Sequence, residues 1–151
     1  MFEISVFELS SEATMNYAQQ SDIEAVFGPS DVAAWTLFET GTPSGSADAT
    51  RIAAALAYAD GEVDGFFAGG PYVVPLVVAS GGQPVVAYWA AVIAGCWLYG
   101  SRAGVSYVDY AGNRYLALKA AVFADMQLYK AGVKRLPAAP RFPQATGPTA
   151  A

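Results

Sequence analysis

The chain has no histidine and a single cysteine. Without an imidazole it loses the commonest general base, the commonest metal ligand and any Ser-His or Cys-His pair. One cysteine, Cys96, excludes an internal disulfide, and its apolar setting marks it as an inert core thiol. Basic residues are also scarce, with eight Lys/Arg against thirteen Asp/Glu and a net charge of −5. The longest gap is in charge of either sign: between Asp64 and Arg102 no residue is charged. Such a stretch has to be kept from water by a bilayer, by the protein's own core or by a neighbouring subunit.

A membrane span needs roughly 20 continuous apolar residues. Gly69-Gly70-Pro71, Pro75, Gly81-Gly82 and Pro84 cut this run into pieces, and Val85–Tyr99 is the longest clean one. No Lys/Arg cluster flanks it to set an orientation. The opening MFEISVFELSSE is acidic and lacks a basic n-region, so no signal peptide is expected. The expectation is a buried core helix and no membrane.

The 151 residues suit one domain with ends to spare. Apolar content of 54% is high and hints at obligate assembly. Charge is unevenly placed. All thirteen acidic residues lie at or before Asp125, where Arg51, Arg102, Arg114 and Lys119 are the basic ones; Lys130, Lys134, Arg135 and Arg141 follow with no acid among them. An acidic body with a basic tail suggests that the tail meets something acidic.

Along the chain, residues 1–9 alternate loosely enough for one strand. Ser21 is expected to cap a short helix, Asp22–Phe27, ended by Gly28, and Ser30 a second, Asp31–Phe38. A loop follows over 39–47. The first long helix runs from Ala49, capped by Asp48, to about Ala68, with Ile52, Ala55, Leu56, Ala59, Val63 and Phe66 as its apolar stripe. Gly61, Gly65 and Gly69 each cost about 1 kcal/mol against Ala inside a helix, which suggests close approach of another backbone. Tyr72–Ala79 is extended, with Pro75 arguing against a central strand. Pro84 opens the helix Val85–Tyr99, which is apolar on most of its circumference and so is central and surrounded. The last helix spans about Tyr107–Gly132, with Tyr107, Tyr110, Arg114, Tyr115, Leu118, Val122, Met126 and Tyr129 on one stripe. From Leu136 onward four prolines and no apolar period exclude an independent core element.

The residues offer little chemistry. Asp60-Gly-Glu62-Val-Asp64-Gly65 matches the first half of a calcium loop, but its twelfth position is Pro71 where a bidentate Glu belongs. The plainer reading is a solvated acidic helix face with Asp60 and Asp64 one turn apart. There is no phosphate-binding glycine loop and no Lys/Arg stripe for a nucleic-acid groove. The expectation is a structural or interaction protein: not an enzyme, with no catalytic residue, metal or cofactor.

The ordered set Ser21-Asp-Ile-Glu-Ala-Val-Phe-Gly28, Ala49-Thr-Arg-Ile-Ala-Ala-Ala-Leu-Ala-Tyr-Ala-Asp-Gly-Glu-Val-Asp-Gly-Phe66, Gly70-Pro-Tyr-Val-Val-Pro-Leu76, Trp97-Leu-Tyr99 and Arg114-Tyr-Leu-Ala-Leu118 resembles the tailed-phage gp36-like (Mu-like prophage gp36) family. That family is similar to head-tail connector or adaptor proteins. The match covers about Met15 to Gly132. Pro71 and Val26 stand where the family usually has Arg.

The resemblance implies a mainly α fold. The expected form is a small bundle of three longer helices plus two short N-terminal ones, with extended N- and C-terminal arms. Residues 1–14 would be an extension, 15–132 the helical domain and 133–151 a Pro-rich basic tail. It also implies a homo-oligomeric ring of about twelve copies under the portal, closed by heterologous contacts. That ring would lie in the virion neck, after assembly in the host cytoplasm, and would bind the next neck or tail protein. DNA would pass through without sequence-specific binding, an acidic wall repelling it. In related connectors a C-terminal segment docks on the portal, which points to Leu136–Ala151 with Leu136, Arg141 and Phe142 as candidate docking residues. Deleting 136–151 should then abolish portal binding without unfolding the body. The uncharged arm Phe66–Ala79 would face a neighbouring subunit through Phe66, Phe67, Tyr72, Val73, Val74 and Leu76. The alternatives are another neck or tail ring component (stopper or tail terminator), a minor capsid protein, or a small-molecule binding module around Trp89 and Trp97.

Overall fold

A computed structural model describes residues 16–37, 46–76, 84–102, 110–137 and 141. The strand expected over 1–9, the turn past Arg102, Tyr107 and Phe142 lie outside these residues. The described chain is mainly α. It forms five helices: α1 (Gln20–Phe27), α2 (Pro29–Thr36), α3 (Ala49–Phe67), α4 (Pro84–Gly100) and α5 (Tyr110–Lys130).

Helix α4 is the organising element. Val86, Trp89 through Gly95 and Leu98 are all buried, so it has almost no wet face, as its sequence requires. It packs against each of the other four helices. Burial of each large apolar side chain here contributes roughly 1.5–3 kcal/mol. The closest approach is at Gly95, where an added Cβ would stand 2.0 Å from the Phe27 ring. The missing side chain lets α1 lie against α4. Phe27 then joins Trp35, Tyr99 and Tyr115 in an edge-to-face cluster with centroid spacings of 4.7–5.4 Å.

Helix α3 starts where Asp48 is expected to cap it, the carboxylate accepting the Arg51 N–H at 3.0 Å. Its buried stripe is Ile52, Ala55, Leu56, Ala59, Val63 and Phe67. The stripe ends on Phe67, not on Phe66 as expected. The step from Val63 is four residues, and Phe66 falls to the half-buried flank. Gly61 and Gly65 have nothing within 4 Å of an added Cβ, so among the described residues no other element's backbone approaches them. Gly69, at φ +77, lies just past the helix in a conformation suited to glycine.

Both short helices begin earlier than expected. Gln19, not Ser21, is the N-cap of α1, because Asp22 reaches back to accept the Gln19 N–H at 2.7 Å. In α2, Gly28 takes the N-cap and Pro29 the first turn, displacing Ser30. Gly28, at φ +91, is therefore both the last cap of α1 and the first of α2, and no linker separates them. Helix α5 buries Val122 and Met126, while Arg114 is exposed and leaves the expected stripe. Gly132, at φ +81, lets Val133 and Lys134 turn their N–H groups back to the Leu128 carbonyl.

Two kinds of glycine substitution should separate in a denaturant titration. Gly95→Ala should destabilise by about 1–3 kcal/mol through overpacking against Phe27. Gly61→Ala and Gly65→Ala should each stabilise by up to about 1 kcal/mol. A neutral Gly95→Ala would contradict this packing.

Candidate functional site

The segment after α3 has the highest concentration of long-range polar contacts. Tyr72 is fully buried, with its ring edge-on to Phe67 at 5.8 Å. Its hydroxyl accepts the Leu136 N–H at 2.9 Å. Tyr72 also forms an isolated antiparallel bridge with Arg141, whose guanidinium lies 5.5 Å over the Tyr72 ring. Two residues past the cis Val74–Pro75 bond's start, the Leu76 N–H is accepted by the Tyr17 hydroxyl at 2.7 Å. The Tyr17 hydroxyl donates in turn to Asp64, and its backbone N–H donates to Asp60 at 3.2 Å. One short extended stretch, 72–76, thus sews the N-terminal segment and the C-terminal segment to α3.

The carboxylates of the half-matched calcium loop are absorbed by this seam. Asp60, Glu62 and Asp64 stand on a continuous helix, which holds them apart where a metal loop would wrap. Among the described residues no group of three or more His, Cys, Asp or Glu could hold a metal ion. Nor is this a fully solvated face, as expected: Asp60 and Asp64 are half-buried and bonded to Tyr17. Burial pushes the Asp60 carboxyl up to about 6; the bond from the Tyr17 amide opposes this and the Asp64 charge adds to it. Burial, then the bond to Asp64 and its charge, pushes the Tyr17 phenol well above its usual value. Tyr17 therefore stays a neutral donor at any physiological pH.

A second anchor holds the end of α5. The Trp89 indole N–H donates to Asp125 at 3.0 Å, and Lys134 donates to the other oxygen of that carboxylate at 2.7 Å. The Lys134 bond, then the Trp89 bond, keep the Asp125 carboxyl below its ordinary range. Trp89 is fully buried, stacked on Phe67 and edge-on to Tyr129. It cannot line a ligand pocket. Trp97 is covered by Tyr58 at 5.9 Å and by Arg51 at 4.7 Å. The aromatic pocket that the small-molecule alternative places around the two tryptophans is therefore filled by the chain itself. Two openings among the described residues lie elsewhere. One is an open groove of about 420 Å³ along Asn16, Gln19, Ile52 and Leu56. The other is a cleft of about 160 Å³ at Cys96, Tyr99 and Leu116. Burial raises the Cys96 thiol to about 11, which keeps it protonated and unreactive.

The residues expected to meet other proteins divide. Phe67, Tyr72 and Leu76 are buried within the chain at 0%, 0% and 4% exposure, so they are core and not subunit contacts. Phe66, Val73 and Val74 are half-buried on the same segment. Leu136 is 4% exposed and Arg141 lies on Tyr72. Both are engaged by the body, so a deletion from Leu136 would remove core contacts as well as the tail. The residue that sequence reasoning missed is Tyr17. It sits in an aperiodic stretch before a short helix, and nothing local marks it as a staple.

A charge-free central helix wrapped by four others, with both flanking segments pinned to one seam, defines a helical packing module. Among the described residues no helix is long and apolar enough to cross a membrane. The chain belongs to the family described as Bacteriophage Mu, Gp36, which matches residues 17–134. It is a phage protein. No curated protein matches it, and no solved structure does.

Tyr17→Phe removes the donor to Asp64 and the acceptor of the Leu76 N–H. It should cost about 1–3 kcal/mol in urea unfolding. The Asp60 pKa is raised on folding, so its contribution is fully present below about pH 4 and is lost as pH rises through about 6. Asp60→Asn should therefore flatten the stability profile between those limits, relative to the parent, by about 1 kcal/mol once solvent screening of a half-exposed group is allowed for. Parallel profiles for the two chains would show that folding does not raise the Asp60 pKa.

Proposed function

We propose that the chain is a structural, non-enzymatic subunit of the head-tail connector, an adaptor that assembles as a ring of about twelve copies beneath the portal. It would extend the DNA channel and present a platform for the next neck or tail protein. The observation that carries this reading is membership of the Gp36 phage family across 17–134. The mainly helical fold supports it. So does the filling of both tryptophan sites by the chain's own side chains. Asp31 and Asp48 are exposed and Asp22, Glu24 and Glu62 half-exposed. A ring that turned such groups to its lumen would repel the DNA phosphates and let DNA slide.

The basic tail is assigned the portal contact, with its reach redefined by the seam. Leu136 and Arg141 fix where the tail leaves the body, and residues 142–151, beginning with Phe142, extend beyond that anchor. Residues 142–151 carry no charged side chain, so Phe142 is the anchor this segment offers, beside Arg141 at its root.

Native mass spectrometry of the chain mixed with purified portal protein tests the reading. The expected species is portal carrying a ring of about twelve copies. A persistent monomer beside unaltered portal would sink it. Truncation after Arg141 should leave the melting midpoint of the body within about 2 °C, since the described core ends there, yet abolish portal binding. Unchanged binding would remove the docking role. The position of the ring in a cryo-EM map of the particle distinguishes an adaptor from a stopper, a tail terminator or a minor capsid protein.

A further inference from the structure

A continuous row of cations and aromatic rings crosses α3, α4 and α5. Arg51 lies 4.7 Å over Trp97, and Trp97 stacks on Tyr58 at 5.9 Å. Lys119 Nζ stands 5.8 Å from the Tyr58 ring and 5.9 Å from Phe123. Phe123 meets Phe66 at 5.6 Å, and Lys130 closes the row 5.2 Å from Phe66. Tyr58 is exposed and the others are half-buried. Among the described residues neither Lys119 nor Lys130 forms a salt bridge. Two of the four basic residues before Asp125, Arg51 and Lys119, are therefore gathered with Lys130 and four aromatic rings on one side of an otherwise acidic body, while Arg102 and Arg114 stand outside the row. Of the acidic residues inside α3, only Glu62 turns toward this flank.

We propose that this row seats the acidic N-terminal segment, residues 1–15, of a second copy of the chain. The inference rests on the ring reading, and it names which surfaces close the ring. Residues 1–15 carry Glu3, Glu8 and Glu12 with no Lys or Arg, interleaved with Phe2, Ile4, Val6, Phe7 and Leu9. The carboxylates thus complement Lys119 and Lys130, and the apolar side chains complement the aromatic rings. The direction of departure argues for a second copy. Two residues along a helix turn by about 200°, so Asp60 points away from Tyr58 and Asp64 away from Phe66. Tyr17, pinned by Asp60 and Asp64, releases the segment from the flank of α3 opposite the row. Donor and acceptor surfaces on opposite flanks make a head-to-tail contact that repeats from copy to copy and can close. Single-stranded nucleic acid also stacks on rings beside cations, but it brings a phosphate with every nucleotide to an acidic body, where the arm brings three carboxylates in fifteen residues.

Charge reversal in the full-length chain tests the pairing. Glu3→Lys/Glu8→Lys/Glu12→Lys and, separately, Lys119→Glu/Lys130→Glu should each weaken self-association about tenfold or more. The chain carrying all five reversals should recover most of the loss. Sedimentation and native mass spectrometry, alone and with portal protein, give the readout. Unchanged melting checks the fold, and Lys119→Gln/Lys130→Gln serves as a milder variant giving a smaller loss. The proposal is overturned if either reversal alone changes nothing, if the combined chain does not recover, or if the parent stays monomeric throughout. Capture of single-stranded DNA by the row, with self-association indifferent to the arm reversal, overturns it as well. Self-association that follows the cycle without any portal binding would remove the connector reading and leave this contact standing. Portal-bound rings indifferent to the cycle would do the reverse.

Discussion

The constraint on which the structure depends is the absence of a polar face on α4. A helix that buries Trp89 through Gly95 in unbroken succession cannot stand at the edge of a domain, where it would leave apolar area in water at roughly 25 cal/mol per Å². It needs cover on every side, and the other four helices supply it. This fixes their character. Helices α3 and α5 are long and cover the two broad sides. Helices α1 and α2 are short, joined without a linker at Gly28, and fit the remaining gap only because Gly95 has no side chain where Phe27 enters.

Covering α4 in this way leaves the connecting segments to be secured, and tyrosine is the device used at both places. A phenol brings a large apolar ring and one group that can donate and accept. Tyr72 buries its ring beside Phe67 and uses its oxygen on the Leu136 amide. Tyr17 is only half-buried, and it joins α3 to the Leu76 amide through a single oxygen. Neither contact depends on charge along the uncharged run itself. The charges lie on the flanking elements, Asp60 and Asp64 on α3 and the Asp125–Lys134 pair at the end of α5. The long charge-free stretch is thus compatible with a well-anchored fold, because its backbone amides and tyrosine supply the polar half of each bond.

Much of this was legible in the chain, and the boundary of what was legible is physical. The Asp48 cap, the Pro84 start, the surrounded nature of α4 and the Gly132 stop each follow from local chemistry, and each stands as expected. The errors came where a residue's role is set by something distant. Gln19 rather than Ser21 starts α1 because Asp22 reaches back and Tyr17 fixes the approach. Phe66 and Phe67 differ by one position, and only the packing of Trp89 against Phe67 selects the inner one. The uncharged arm looked like surplus surface for a partner. Its residues Tyr72 and Leu76 are instead core: Leu136 and Arg141 of the C-terminal segment meet Tyr72, and Tyr17 of the N-terminal segment holds Leu76. Leu136, in a Pro-rich stretch without apolar period, gave no sign of being buried.

The polarity of the folded molecule differs from that of the extended chain. The sequence suggests a division along its length, an acidic body followed by a basic tail. Folding replaces it with a division across α3. On one flank Asp60 and Asp64 are drawn into the seam with Tyr17. On the other, Arg51, Lys119 and Lys130 are laid over aromatic rings. The exposed ridge between them carries Ala54, Ala57, Gly61 and Gly65, which present neither charge nor bulk. A cation over a ring face is stabilised by the ring's quadrupole by about 0.5–1 kcal/mol at exposed sites, and it keeps its remaining donors for solvent or a partner. For Lys119 and Lys130 that arrangement orients a basic group of an acidic domain without an ion pair among the described residues. The two flanks are unlike in charge and in shape, so copies related by a two-fold axis would set like against like. Copies arranged head to tail set each flank against its complement, and of the two arrangements that is the one the charges favour.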